Sequence, residues 1–307
     1  MAQGLSRYPS HTDTLPSGTM DRIGFIGAGR LARALAWHCH ARGLHVTAVA
    51  SRTPASAQQL AARLPGCAVL DSAQAVSDRC SLVFITTPDA AIEPTAAAIR
   101  WRAGVRVVHC SGATEVAALG AAQAAGALTG GFHPMQTFAD PEAALEHLPG
   151  CTVTIEAEAP LDAELSALAT RLGCRINHLP PGARPLYHAA AGYASQFINA
   201  LLHDAVRMWQ SWGATEDDAL HALLPLLHGT LASIAGSGIA AGMPGPVSRG
   251  DTRSVAGHVA ALRSFDPATL PLYAELCQRT ITLALQQGRI DSPCASHLHR
   301  LLAAPLP

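Results

Sequence analysis

The stretch Ile23-Gly24-Phe25-Ile26-Gly27-Ala28-Gly29-Arg30-Leu31-Ala32 constrains this chain more than any other, because an apolar run ends in G-x-G-x-x-A and passes straight into a segment of helical character. That order predicts a strand, a tight turn and a helix. Gly27 suits the turn, Gly29 lets the backbone approach a bound group closely, and Ala32 lets the helix pack tightly on a sheet. The first turn of such a helix presents unpaired N–H groups and the positive end of its dipole, which together favour an anion such as a pyrophosphate. Gly27, Ala28, Gly29, Arg30 and Leu31 are therefore candidate cofactor-binding residues. A glycine turn without a ligand is the plain alternative, and the strand-turn-helix context argues against it.

From Asp21 onward, short apolar runs alternate with Ala-rich helical stretches, the pattern of a parallel sheet covered by helices. Strands are expected over 22–26, 45–50, 68–70, 82–86 and 105–109, and further strands over 128–133, 151–155 and 175–179. Helical segments over 31–41 and 54–64 make connections long enough for right-handed crossovers. The fold class this implies is α/β, a Rossmann doubly wound parallel sheet. Pro180-Pro181-Gly182 interrupts the pattern, and only helical periodicity follows, including long helices over 185–212 and 270–287. The expected organisation is a flexible extension over 1–20, a dinucleotide-binding Rossmann domain over 21–181, and an all-helical substrate and dimerisation domain over 182–307.

The second strand decides between dinucleotides. An NAD enzyme presents Asp or Glu there to the ribose 2′-hydroxyl, whereas this strand ends in Ser51-Arg52-Thr53. Arg52 can pair with a 2′-phosphate while Ser51 and Thr53 donate hydrogen bonds, so NADP is favoured. A solvated surface arginine is the alternative. Thr86-Thr87-Pro88-Asp89 follows the fourth strand and should line the crevice where ligands bind in such sheets, although Asp89 also suits a helix cap.

The chemistry has several candidate sites. His109-Cys110-Ser111-Gly112-Ala113 ends the fifth strand, placing Ser111 to hold a substrate or the nicotinamide amide, and His133 stands on the Gly-rich segment Gly130–Thr137. Lone histidines are more often structural. His188, Ser195 and Asn199 have the spacing of one helical face, with small Ala191 and Gly192 between them. Reduction of a carbonyl needs a proton donor beside its oxygen, and His188 suits that role with Asn199 orienting it. Arg249 could clamp a substrate anion, while Asp251 suits a helix N-cap equally well.

Composition narrows these readings. The chain has no lysine among its 21 basic residues, which excludes a lysine acid or Schiff base. With 21 basic against 22 acidic side chains it carries no electrostatic footprint for nucleic acid or an anionic membrane, so a small-molecule substrate is expected. Eight cysteines without a C-x-x-C pair argue against zinc and for a reduced, cytoplasmic chain. His38-Cys39-His40 cannot share an ion, since helical neighbours point about 100° apart, and no metal is expected. Residues 219–248 lack Asp, Glu and Arg but are interrupted by Pro225, Gly229, Gly236, Gly238 and Gly242, which reads as a buried helix plus turn rather than a membrane span. Residues 1–20 lack the apolar core of a signal peptide.

The loop Gly27–Arg30, His109–Ala113, Phe132–Phe138, Tyr187–Ala191 and Gly245–Asp251 together resemble bacterial Rossmann-like proteins carrying a C-terminal domain of unknown function. Members are usually described no further than as NADP oxidoreductases. That group is similar in architecture to β-hydroxyacid dehydrogenases, pyrroline-5-carboxylate reductases and deazaflavin-dependent NADP reductases. The resemblance implies a Rossmann domain, a helical second domain and commonly a homodimer. β-Hydroxyacid dehydrogenases use a lysine on the first helix of the second domain, and this chain has none, so that mechanism does not carry over. The reading that follows is an NADP-dependent oxidoreductase moving hydride to or from a small polar substrate held between the domains. A non-catalytic NADP-binding or redox-sensing protein is the rival, and a deazaflavin reductase a third.

Overall fold

The computed structural model describes residues 22–303, and the extension expected over 1–20 lies outside them. Eight strands form one sheet: β1 (Arg22–Ile26), β2 (His45–Ala50), β3 (Ala68–Val69), β4 (Leu82–Ile85), β5 (Arg106–His109), β6 (Leu128–Pro134), β7 (Thr152–Ala157) and β8 (Arg175–His178). The helices that accompany the sheet are α1 (Arg30–Ala41), α2 (Pro54–Ala61), α3 (Ala73–Arg79), α4 (Ile92–Ala97), α5 (Gly120–Ala124), α6 (Pro141–His147), α7 (Leu161–Arg171) and α8 (Arg184–Tyr193). There follow α9 (Gln196–Gln210), α10 (Glu216–Ser237), α11 (Thr252–Phe265), α12 (Leu270–Gln286) and α13 (Ser292–Ala303).

The strand order is β3-β2-β1-β4-β5-β6-β7-β8. The first six are mutually parallel, β7 runs antiparallel to β6, and β8 is parallel to β7. The chain reverses direction across the sheet between β1 and β4, which opens the ligand crevice of a doubly wound fold at that point. Both faces of the central strands are covered, which explains their nearly continuous apolar sequences. On one face Phe25, Phe84 and Phe132 run in line, with centroids 5.2 and 5.7 Å apart, under α1, α2 and α7. On the other, Ile26, Val83, Ile85 and Val107 meet α3, α4 and α5.

The backbone forms two compact units, one ending at Gly192 and the other starting at Tyr193. The break expected at Pro180-Pro181-Gly182 is a turn, and α8 beyond it stays with the sheet because its first residue, Arg184, is completely buried there. The single helix expected over 185–212 is two helices. Ser195 leaves the helical region, at φ −135° and ψ −89°, and becomes the N-cap of α9, a position serine favours over a helix interior.

The second unit is all-helical, with a core built on Val255, Val259, Leu262, Ile281, Ala284 and Leu298. The expectation that 219–248 is buried does not hold. Of the helix residues of α10 only Ala219 is buried, while Leu224, Leu226 and Leu231 are exposed. Among the described residues, α10 alone is long and apolar enough to cross a membrane by length and composition. Thr215 and Asp218 start it with a reciprocal capping box.

Candidate functional site

The glycine turn forms as its sequence demands, and its two glycines do different work. Gly27 has φ +105°, donates its N–H to the Ala50 carbonyl at 2.8 Å, and lies so close to β4 that a Cβ would stand 2.7 Å from the Thr86 carbonyl. Thr86 Oγ1 locks the contact by donating to the carbonyls of Ile26 and Gly27 at 3.2 and 3.1 Å. Gly29 is the N-cap of α1; no side chain caps that helix, and a Cβ on Gly29 would meet nothing within 4 Å. The fold needs glycine at 27, whereas at 29 only an approaching ligand would need it. Ala32 is completely buried against the sheet.

In front of this turn lies a cavity of about 830 Å³, lined by Gly27, Ala28, Gly29, Arg30, Leu31, Ser51, Arg52, Thr86, Thr87 and Pro88, a size ordinary for small-molecule and cofactor sites. All the expected cofactor residues meet there except Thr53 and Ser111. Thr53 instead starts α2, its N–H reaching Ser51 Oγ at 3.4 Å. Arg52 is exposed and makes no ion pair among the described residues. Thr87 Oγ1 is a buried hydroxyl with no partner, on the cavity wall. Sequence reasoning missed Ser56, Asp71, Ser72 and Thr95 in the lining. Asp71 and Ser72 follow β3, at the same carboxyl edge as the other loops, and that position was the available signal.

Beyond β5 the sheet carries a buried polar layer. The strand registers place His109, Gly131 and Glu156 side by side on β5, β6 and β7, and His133 opposite Thr154. The Arg184 guanidinium fills the space over Gly131, where a Cβ would stand 1.8 Å from Nη2. Its Nε donates to the Glu156 carboxylate and its Nη1 to the Ser111 carbonyl at 2.7 Å. Burial pushes His109 down to about 3, helped by Arg184 and then His133. His109 Nδ1 accepts the Ser111 N–H at 3.2 Å, so the ring proton sits on Nε2. That Nε2 is buried and has no hydrogen-bond partner.

His133 is likewise pushed down, to about 4, by burial, Arg184 and His188, with Asp89 opposing. Its Nδ1 lies 2.6 Å from Tyr187 Oη. Burial raises the Tyr187 phenol, offset partly by a hydrogen bond from Thr154, and Thr154 Oγ1 accepts from Asn177 Nδ2 at 3.2 Å. With its phenol raised, Tyr187 keeps its proton at neutral pH and can donate it to His133 Nδ1, the arrangement that puts the His133 proton on Nε2. That Nε2 converges with His188 on Gly112, where a Cβ would stand 2.9 Å from His133 Nε2 and 2.8 Å from His188 Cδ2. His188 itself is exposed.

Ser111, expected to meet a ligand, has its Oγ engaged by the N–H groups of Ala113 and Thr114 at 3.1 and 2.9 Å. The helical face shared by His188, Ser195 and Asn199 does not exist, because the chain breaks at Ser195; Asn199 Nδ2 donates to the Ser195 carbonyl at 3.4 Å. Asp251 is the N-cap of α11, accepting from Ser254 N at 3.0 Å, and Arg249 is exposed just before it. Among the described residues, no group of His, Cys, Asp and Glu has the geometry of a metal site. Sequence reasoning also missed Arg184 and Glu156. A carboxylate inside the otherwise uncharged strand Thr152–Ala157 was the visible anomaly.

Comparison with known proteins agrees with this architecture. Residues 9–134 match the family model of a Rossmann-like domain, and residues 151–280 match a domain of unknown function, DUF2520. The chain pairs a Rossmann-like domain with DUF2520. No curated protein matches it. Solved structures of similar fold include a Bacteroides fragilis protein provisionally named an NADP oxidoreductase, 24% identical over 85% of this chain and 98% of that one, with a TM-score of 0.67. A Thermotoga maritima protein is also 24% identical, over 87% and 100%, with a TM-score of 0.70. A reductive aminase from Aspergillus terreus, solved with NADPH and ethyl-5-oxohexanoate, is 18% identical over 92% and 93%, with a TM-score of 0.57. At these identities the likeness of the Rossmann-like–DUF2520 chain to each is one of fold.

Proposed function

We propose that this chain is an NADP-dependent oxidoreductase whose cofactor occupies the cavity in front of the glycine turn. The observation that carries the reading is the coincidence there of three unfilled features: the uncapped first turn of α1, the open face of Gly29, and the unpartnered buried hydroxyl of Thr87. The amides after Gly29 suit the diphosphate, Arg52 and Ser51 the 2′-phosphate, and Thr86–Pro88 the path toward the nicotinamide. Bound there, NADP supplies the hydride chemistry. The occurrence of an NADPH-bound reductive aminase on this fold supports the assignment.

The substrate we propose is a small polar molecule with a carbonyl or imine carbon, or its reduced form, placed beside Gly112. His188, exposed beside Gly112, serves there as proton donor or acceptor. His133, neutral at pH 7, holds its Nε2–H toward the same point and orients the polar group.

Fluorescence titration of wild type and Arg52→Ala with NADPH and NADH tests the cofactor assignment. Loss of a charge-assisted phosphate contact is expected to weaken NADPH by roughly 10- to 100-fold and to leave NADH nearly unchanged. Equal loss of both dinucleotides contradicts the role given to Arg52.

A further inference from the structure

Cys151 and Cys174 stand immediately before β7 and β8, at the far lateral edge of the sheet from the β2-β1-β4 strands beside the cavity. The backbone pins them across from each other: Gly150 N–H donates to the Gly173 carbonyl and Arg175 N–H to the Cys151 carbonyl, both at 2.8 Å. The pair thus continues the parallel register that begins with Thr152 opposite Arg175. Adjacent strands run about 4.8 Å apart, inside the Cα separation of about 4.4–6.8 Å that a disulfide spans. The two sulfurs already lie 3.8 Å apart, and both residues are half-buried, in contrast to the buried Cys39, Cys80, Cys110 and Cys277.

We infer that Cys151 and Cys174 form a peroxide-responsive dithiol that closes to a disulfide across β7 and β8. Cys174 is the attacking sulfur. The Arg42 charge beside it favours its thiolate, and with its proton gone from the Leu148 carbonyl, which it meets at 3.3 Å, it can accept from the Cys151 thiol at 3.8 Å. The Arg42 guanidinium abuts the preceding residue, 3.3 Å from where a Gly173 Cβ would stand. The Cys174 thiolate attacks one oxygen of hydrogen peroxide, the O–O bond breaks, and the departing hydroxide takes a proton to leave as water, giving a sulfenic acid. The Cys151 sulfur then attacks that sulfenic sulfur, an S–S bond forms, the S–O bond breaks, and a second water leaves with the Cys151 proton. Two thiols are oxidised by two electrons in all, and one peroxide is reduced to two waters.

The test treats the reduced full-length chain with hydrogen peroxide under native conditions, alkylates the remaining thiols, and digests after Arg and Glu. Fragment His147–Glu156 joined to Leu172–Arg175, with Cys39 and Cys110 still alkylated, is the expected product. In Cys151→Ser a dimedone-reactive sulfenic acid should persist at Cys174, and Arg42→Ala should slow its formation several-fold. Oxidation of Cys67 or Cys294 while Cys151 and Cys174 stay alkylatable overturns the inference, as does a bridge from Cys174 to Cys39. Should either variant fail to fold, the wild-type digest alone decides.

Discussion

Arg184 is the side chain that organises the polar layer beyond β5. A fully buried guanidinium costs several kcal/mol unless paired and hydrogen-bonded; Glu156 and the Ser111 carbonyl take its Nε and Nη1, while its Nη2 over Gly131 has no partner. Burial first, and then the Arg184 charge, keep the imidazoles of His109 and His133 neutral when folded at pH 7. The unfolded chain binds protons on both near pH 6.5, whereas the folded chain takes them up only near pH 4 and pH 3. Stability from these residues is therefore complete above about pH 6.5 and is lost as pH falls from there toward 4. Chemical denaturation at pH 7.5 and pH 5 should show a fall of roughly 2–4 kcal/mol, and His133→Gln should remove about half of it. A pH-independent stability over that window would mean the two rings are solvated rather than buried.

At the scale of elements, most of what was legible came from local rules. The run Ile23–Ile26, the turn glycines and Ala32 each satisfy a short-range requirement, so β1, its turn and α1 are where the sequence places them. The crossing of Arg184 over Gly131 was not legible, because it depends on the register of β6 with β7 and on a helix 28 residues beyond Glu156. The break at Ser195 was hidden for another reason: polar spacing continues through it, and only the backbone angles depart. Helix α10 shows the same limit, since apolar composition does not say what covers it. We propose that a second copy covers its exposed Leu224, Leu226 and Leu231 in a homodimer through the helical unit. Light scattering should give twice the 31.8 kDa chain mass, falling to one chain in Leu226→Glu. A monomeric wild type, or one that associates only with detergent or lipid, contradicts this.

For the whole molecule, the alternation of strands and helices was enough to give a doubly wound parallel sheet, because right-handed crossovers leave few alternatives, while the strand order itself comes from the fold. The alternation did not give the reversal of β7, which makes β6 and β7 antiparallel and brings Glu156 and Thr154 under α8. The residues that line the cavity in front of the glycine turn were therefore readable from the sequence, while the polar layer beyond β5 needed the fold. Everything proposed about function depends on the turn from Gly27 to Ala32 holding a diphosphate. Gly29 separates that claim from folding, since a Cβ there meets only open space. Titration calorimetry of NADPH on wild type and Gly29→Ala, with melting temperatures measured alongside, is the direct test. Wild type should bind, and Gly29→Ala should keep the melting temperature while its affinity falls by about tenfold or more, near 1.4 kcal/mol. A folded wild type that gives no heat with NADPH, or a variant that binds it equally well, would contradict it.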